Sequence, residues 1–498
     1  WGAERAFSIL DLTGSDHVEI GCLELTDHSG CVEFHSGGLP CPRDAYPFGD
    51  WASRGIYAED ASRVHLHDLD IHGLAHTGIQ AGRLADWTVE NVRLAGNGWA
   101  GWDGDIPGGD ANDGALEFSR FTVEWNGCGE SYPAGAPTGC WAQSAGGYGD
   151  GLGTGETGGE WIFEDSAFLH NTSDGLDLLY VTRPGSSIAI RDTRAEGNAG
   201  NQLKTSGPAV LENCIAVGNC GFFEGQPFTY FVDPCRALGN AISLALGPGD
   251  EASIVNSTIT GEGDCLVLAD ARAGCDGSER ITLRNNIFLG QTDFHQPFEN
   301  ACLTYGEGFP GDPFDLDYSL VSGVKNDPCP VGEHDLCADP QLAGMELDAF
   351  DAALLSNSPA IDAGMDLPGV GRDIAGGARP LDGNNDGTNR WDIGAVEYVH
   401  PLADSDGDSM RDADEMVAGT DATNGAALFV LGPLRAGPAL SWTGAAGRLY
   451  DLQHAPHVTG VWTSVAGATN LPGAGAALGF TNSSPDASGY YRVRVRRP

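Results

Sequence analysis

Lysine is almost missing from this chain. Among 498 residues there are two, Lys204 and Lys325, and all basic residues together number 26 against 70 acidic ones, for a formal charge of −44. Such a field repels phosphate backbones and anionic lipid surfaces, so nucleic acid and membrane surfaces are excluded as partners. An anionic polysaccharide could approach only where bound metal inverts the local charge. No run of about 20 apolar residues exists, so no membrane insertion is expected. CxxC pairs and zinc-type Cys/His clusters are absent, as is a Ser-His-Asp or Cys-His arrangement. Helical periodicity is missing too.

What is present in excess is glycine, 73 residues, and cysteine, 13. Cys31/Cys41, Cys128/Cys140, Cys220/Cys235, Cys265/Cys275 and Cys329/Cys337 are spaced to close short loops, leaving Cys22, Cys214 and Cys302 over. This usage points to an oxidising, extracellular setting. The chain begins at Trp1 and carries no leader-like segment, which reads as a mature exported protein.

The organising pattern lies between Gly146 and Lys204. Asp150-Gly151-Leu152-Gly153, Asp174-Gly175-Leu176-Asp177 and Asn201-Gln202-Leu203-Lys204 repeat at intervals of 24 and 27 residues. Short β-branched and aliphatic runs separate them, and a recurring Asn or Asp (Asp68, Asn91, Asp165, Asp192, Asn213, Asn256, Asn285) marks a polar ladder. This is the signature of an all-β chain: a right-handed parallel β-helix, one coil per repeat. We assign residues 1–330 to it, 331–400 to its closing segment, 401–425 to a calcium-binding linker and 426–498 to a small C-terminal β-sandwich. Insertions at about 99–113, 128–148 and 221–236 build one side, where Trp99, Trp102, Trp125, Trp141 and Tyr148 could stack on sugars.

Stacked coils lie about 4.8 Å apart, a spacing that lets Asp150, Asp174 and Asp177 share one Ca²⁺ between coils, with Gly175 permitting the bend that brings Asp174 and Asp177 together. A stronger calcium motif is Asp404, Asp406, Asp408, Met410 (through its carbonyl), Asp412 and Glu415, the ligand schedule of an EF-hand loop with glycine at position 4, as in thrombospondin-type and dockerin-like repeats. Asp382, Asn384 and Asp386 form a weaker copy. His65 and His67 share a strand face and could hold a metal, though a solvent-facing strand explains them as well.

At Asp150–Phe223 the chain resembles the calcium-dependent β-helix pectate lyases of polysaccharide lyase family nine. The resemblance implies calcium at Asp150, Asp174 and Asp177, with Ser173 replacing a further aspartate. It places the base lysine just after the first motif, where this chain has Thr154 and Gly155. Lys204 falls where the family often carries a second lysine, not the base.

Two functions compete. One is an extracellular calcium-binding structural protein that assembles head-to-tail with copies of itself. There the final strand, with Arg492, Arg494, Arg496 and Arg497, would dock on the open first coil of the next copy. The other is a calcium-dependent carbohydrate-active enzyme, lyase or glycosidase, or a sugar-binding adhesion module. The missing base favours the first.

Overall fold

A computed structural model describes residues 7–28, 52–109, 111–131, 133–142, 148–432, 439–481 and 489–497. It divides into two compact units, residues 1–365 with 373–375 and 393–396, and residues 366–372 with 376–392 and 397–498.

The first unit is a parallel β-helix. Ten parallel strands, from Ser8–Asp11 to Cys302–Glu307, stack into one sheet, here called sheet A. Eighteen strands, from Asp16–Thr26 to Leu336–Cys337, form a second, sheet B. Each coil crosses sheet A once and sheet B in two short steps. Sequence alone explains the division of sheet B. In Ser62–His72 the buried residues are Val64 and Leu66, then Leu69 and Ile71, so the alternation slips by one at Asp68. Asp68 has φ 51°, and the residues stacked above and below it adopt the same left-handed bend: Asn91, Arg120, Asp165, Asp192, Asn213, Asn256 and Asn285. Asn and Asp tolerate this region better than most residues. The recurring Asn/Asp ladder is therefore the corner column of sheet B. Its side chains link coil to coil, as where Asn213 Nδ2 donates to Asp192 Oδ1 at 3.0 Å.

A second ladder runs inside. Asn97, Asn126, Asn171 and Asn198 are buried, and each Nδ2 donates to the next Oδ1 at 2.8–3.0 Å, Asn198 donating to Gln202 Oε1 at 2.8 Å. Glycines make room for it. A Cβ at Gly151 would lie 2.3 Å from the Gly175 carbonyl and 2.8 Å from Asn171 Nδ2, and one at Gly175 2.5 Å from the Gln202 carbonyl and 2.6 Å from Asn198 Nδ2. Gly175 has no positive φ. It serves close approach between coils, not the bend expected of it. The apolar interior is completed by an aromatic file in which Phe118 stacks on Phe163 at 4.5 Å and on Trp161 at 5.9 Å.

Among the described residues the disulfides are Cys128–Cys140, Cys220–Cys235, Cys329–Cys337 and Cys265–Cys302. The last corrects the expected Cys265/Cys275 pair. Cys265 and Cys302 are neighbours in register on adjacent strands of sheet A, and stacking brings residues one coil apart closer than residues ten apart in one loop. Cys275 is free, with Cys22 and Cys214; Cys31 and Cys41 lie outside the described residues. The expected insertion at 99–113 is partly a coil, since Ala100–Asp103 is a strand of sheet A.

The second unit holds the acidic loops, the helix Asp412–Ala418 and two small antiparallel sheets. One pairs Ala439–Gly444 with Ala476–Thr481; the other centres on Leu449–Ala455, flanked by Tyr490–Arg496. Leu440, Leu452 and Ala468 form their core. Among the described residues no helix is long and apolar enough to cross a membrane.

Candidate functional site: a buried carboxylate–lysine cluster on sheet A

The repeat motif stacks in register along sheet A. Leu152, Leu176 and Leu203 pair across three coils and point into the core, and Gly153, Asp177 and Lys204 pair in the same register on the outward face. One position earlier in the ladder, Trp102 pairs with Leu152 and Asp103 with Gly153. The outward file thus reads Asp103, Gly153, Asp177, Lys204. Gly153 leaves a notch in it, and a Cβ there would lie 3.0 Å from Asp150 Oδ2.

Asp150 and Asp174 are set by a ladder of their own. Asp150 Oδ1 accepts the Asp174 amide at 3.0 Å. Asp174 Oδ1 accepts the Asn201 amide at 2.7 Å and its Nδ2 at 3.0 Å. Asn201 Oδ1 in turn accepts Asn240 N and Nδ2. One oxygen of each aspartate is fixed in the backbone, and the other is left for chemistry. Asp174 Oδ2 lies 3.0 Å from Lys204 Nζ, and Asp177 Oδ2 lies 2.6 Å from it.

All four groups are nearly buried. Burial, reinforced by Asp174 and Asp177, holds the Asp150 carboxyl above its ordinary range. Burial also raises Asp177, against the pull of Lys204. For Asp174 burial is outweighed by Lys204 and Arg236, and its carboxyl is held low. Burial would lower the Lys204 ammonium, but Asp174 and Asp177 raise it above its usual value. Three carboxylates against one ammonium leave the cluster two charges short of neutrality. Buried charge of that size must be met by protons or by a cation, and oxygen donors from two adjacent coils suit Ca²⁺.

The structure therefore brings Asp150, Asp174 and Asp177 together, as the repeat predicts. It also brings in Lys204, which the sequence reading set aside. The signal was present: Lys204 holds the same fourth position of the motif as Gly153 and Asp177. Asp103 was missed for the same reason, since Gly101-Trp102-Asp103 is one more copy. Asp103 accepts Gln80 Nε2 at 2.8 Å, and burial lifts its carboxyl to about 7.

No protein-family model matches the sequence, and no curated protein sequence does either. Solved structures that are similar in fold include two lyases. One is the crystal structure of pectate lyase Pel9A, at 13% identity and TM-score 0.38, covering 71% of this chain and 76% of that one. The other is an alginate lyase from Paenibacillus sp. str. FPU-7, at 11% identity and TM-score 0.30, covering 67% of this chain and 99% of that one.

The second unit carries the other predicted ligands. Asp406 Oδ2, Asp408 Oδ2 and both Glu415 oxygens are buried with no hydrogen bond of normal geometry. Their other contacts shape the loop: Asp404 accepts the amides of Gly407, Asp408 and Ser409, and Asp408 Oδ1 accepts that of Met410. Burial, then the charges of Asp406, Asp408 and Asp412, push Glu415 up to about 7. Asp412 points elsewhere, its oxygens accepting Ser405 N at 2.8 Å and Ser405 Oγ at 2.7 Å. The weaker copy is built as a turn. Asp382 accepts the amides of Asp386 and Gly387, and Asp386 Oδ2 lies 3.4 Å from Arg390. Its residue Asn384 is exposed. The two loops are joined where the Asp382 amide donates to Ser405 Oγ at 2.9 Å.

Other expectations fare differently. Trp102 and Trp141 are buried rather than displayed. Trp99 stacks on His76 at 4.5 Å and Trp125 on His170 at 4.6 Å, so these rings pack loops against the solenoid. In the last strand Arg492 sits 4.4 Å over the Trp462 ring and Arg496 lies 3.9 Å from Asp451.

Proposed function

We propose that this protein is a calcium-dependent polysaccharide lyase acting on a uronate-containing polymer, with Asp150, Asp174 and Asp177 as metal ligands and Lys204 as the base. The carrying observation is the placement of Lys204: one of two lysines in the chain, held at 2.6 and 3.0 Å from two of three clustered carboxylates. β-Elimination needs a base beside an acidified C–H next to a carboxylate, and uronic acids carry that proton at C5. Asp150, Asp174 and Asp177 would hold Ca²⁺, whose positive charge would attract the uronate carboxylate, make C5–H more acidic and favour the neutral amine of Lys204. Lys204 would take the C5 proton, the C4–C5 double bond would form as the glycosidic C4–O bond breaks, and the departing oxygen would be protonated from water. The Gly153 notch gives a sugar ring access to Asp150 beside it, and the amides anchoring Asp150 and Asp174 keep their free oxygens in place. The four disulfides among the described residues fit an oxidising, extracellular setting.

The test is formation of unsaturated uronides from polygalacturonate and from alginate, followed by ultraviolet absorbance with calcium and after chelation. Activity should require calcium, and Lys204→Ala should lower it about 10²–10⁴-fold, the usual contribution of a general base. No unsaturated product from either polymer, or a Lys204→Ala variant as active as the parent, would overturn it. Head-to-tail assembly through the final strand stands as a separate proposal.

A further inference from the structure

The first coils of the solenoid hold a cluster unconnected with Lys204. The insertion that follows Cys128 is a hairpin, Gly129–Ser131 against Ala136–Thr138, stapled at its base by Cys128–Cys140. Its residue Glu130 reaches back to two histidines. Glu130 Oε2 lies 2.6 Å from His72 Nδ1, and Glu130 Oε1 lies 3.3 Å from His28 Nδ1. A donor atom from each of the three falls within 4.8 Å of the others. We propose that His28, His72 and Glu130 bind a divalent transition cation of the zinc class, which pins the hairpin to the early coils.

Three features argue for a built site. The first is the far nitrogen of His72: Nε2 lies 3.1 Å from Glu24 Oε1. A metal-bound imidazole characteristically donates its other N–H to a carboxylate, which fixes its tautomer and orientation. Without a metal, His72 would face carboxylates with both nitrogens. The second is Gly73. It has φ +60°, and a Cβ there would lie 2.3 Å from Glu130 Oε2 and 3.2 Å from His28 Cα. Glycine at this corner is what allows the carboxylate to reach the histidines. The third is space: a cavity of about 240 Å³ opens on His28, His72 and Glu130, with Glu24 in its wall beside an Asp70–Arg93 ion pair at 2.9 Å. A tetrahedral ion with bonds of about 2.0–2.1 Å separates its ligand atoms by about 3.3 Å, close to the spacing already present. Two imidazoles and a carboxylate select zinc-like ions over calcium, which takes oxygen donors.

The full-length protein, stripped with chelator and returned to excess calcium, is titrated with Co²⁺ and followed by visible absorption, then with Zn²⁺ by calorimetry. Stoichiometric uptake with d–d bands is expected. His72→Asn and His28→Asn should each abolish it, Glu130→Gln should lose the bands, and Glu24→Gln should weaken uptake about 10–100-fold as a supporting partner. His67→Asn, on the exposed cluster with Glu19 and His65, should change nothing. His28, at the edge of the site, provides the variant least able to disturb folding. The proposal is overturned if calcium-saturated protein takes up no Co²⁺ or Zn²⁺. It is equally overturned if uptake survives His28→Asn and Glu130→Gln, or is lost with His67→Asn.

Discussion

Replacing Lys204 with Met would remove one charge and keep most of the side-chain volume. The lysine side chain is 13% exposed, and those of Asp174 and Asp177 are 7% and 12% exposed. Removing one partner from a buried ion pair costs about 3–5 kcal/mol, because the charge left behind has no compensation. A long solenoid does not unfold as one unit, so the effect is best read locally. The amides of Asp174, Leu179 and Asn201 donate to the three carboxylates. In chelator their hydrogen exchange should accelerate roughly 10²- to 10³-fold, the equivalent of 3–5 kcal/mol at about 1.4 kcal/mol per decade. Calcium at about 100 times its Kd should return about 2.7 kcal/mol, or slow exchange about 100-fold. The deficit should also depend on pH. Without the ammonium, burial keeps Asp150 and Asp177 above their unfolded value of about 3.9, so the folded state gains protons as pH falls. The penalty is therefore full at pH 8 and shrinks toward pH 5. If the variant exchanges as the parent does in chelator, or if calcium does not slow it, the cluster is neither a buried ion-pair centre nor a calcium site.

Three further outcomes are expected. Glu415 has a raised folded pKa of about 7, so in chelator the second unit should be more stable at pH 5 than at pH 8. Stability is lost as pH rises from the unfolded pKa through 7, and calcium should restore it only at the higher pH; equal protease cutting near residue 410 with and without calcium at pH 8 would refute this. Asn171→Ala would strip partners from Asn126 N, Asn126 Nδ2, Val123 O and Asn198 Oδ1. Asn198 Oδ1 keeps the Asn171 amide and Asn126 Nδ2 keeps the Leu94 carbonyl, so at about 1–3 kcal/mol for an orphaned buried group the substitution should destabilise the central coils by about 1–3 kcal/mol, against less than about 0.5 kcal/mol for a surface control such as Ser131→Ala. Deleting residues 490–498 tests assembly: filaments of normal length from the truncation would end the proposal that this strand docks on another copy.

The coil and the carboxylate trio were legible because both follow from period alone. A motif returning every 24–27 residues, Asp first and Leu third, already specifies which residues stack. The lysine was set aside because its role was judged from where a family's base should fall, whereas its place in the repeat, fourth like Gly153 and Asp177, puts it against the carboxylates. Cys265–Cys302 was hidden for a related reason. Loop length ranks pairs by distance along the chain, whereas a stack ranks them by coil, and the two orders disagree. Trp102 was taken as a displayed ring because its strand lies among glycines. Those glycines mark close approach between coils, and Trp102 points inward.

Gln202 ends two columns at once. It stands where the coils below carry glycine, at Gly101, Gly151 and Gly175, and its side chain closes the asparagine file by accepting Asn198 Nδ2 while donating to the Asn198 and Gly200 carbonyls. Below this point the coils share the glycine and asparagine columns by which they stack. Above it the rules change, and the next strand of sheet A, Ile242–Leu246, follows only after the stapled excursion between Cys220 and Cys235. The lysine sits two residues past that boundary. Growth or loss of coils before Ala100–Asp103 would lengthen or shorten sheet A on its N-terminal side while leaving Asp150, Asp174, Asp177 and Lys204 stacked on one another as they are.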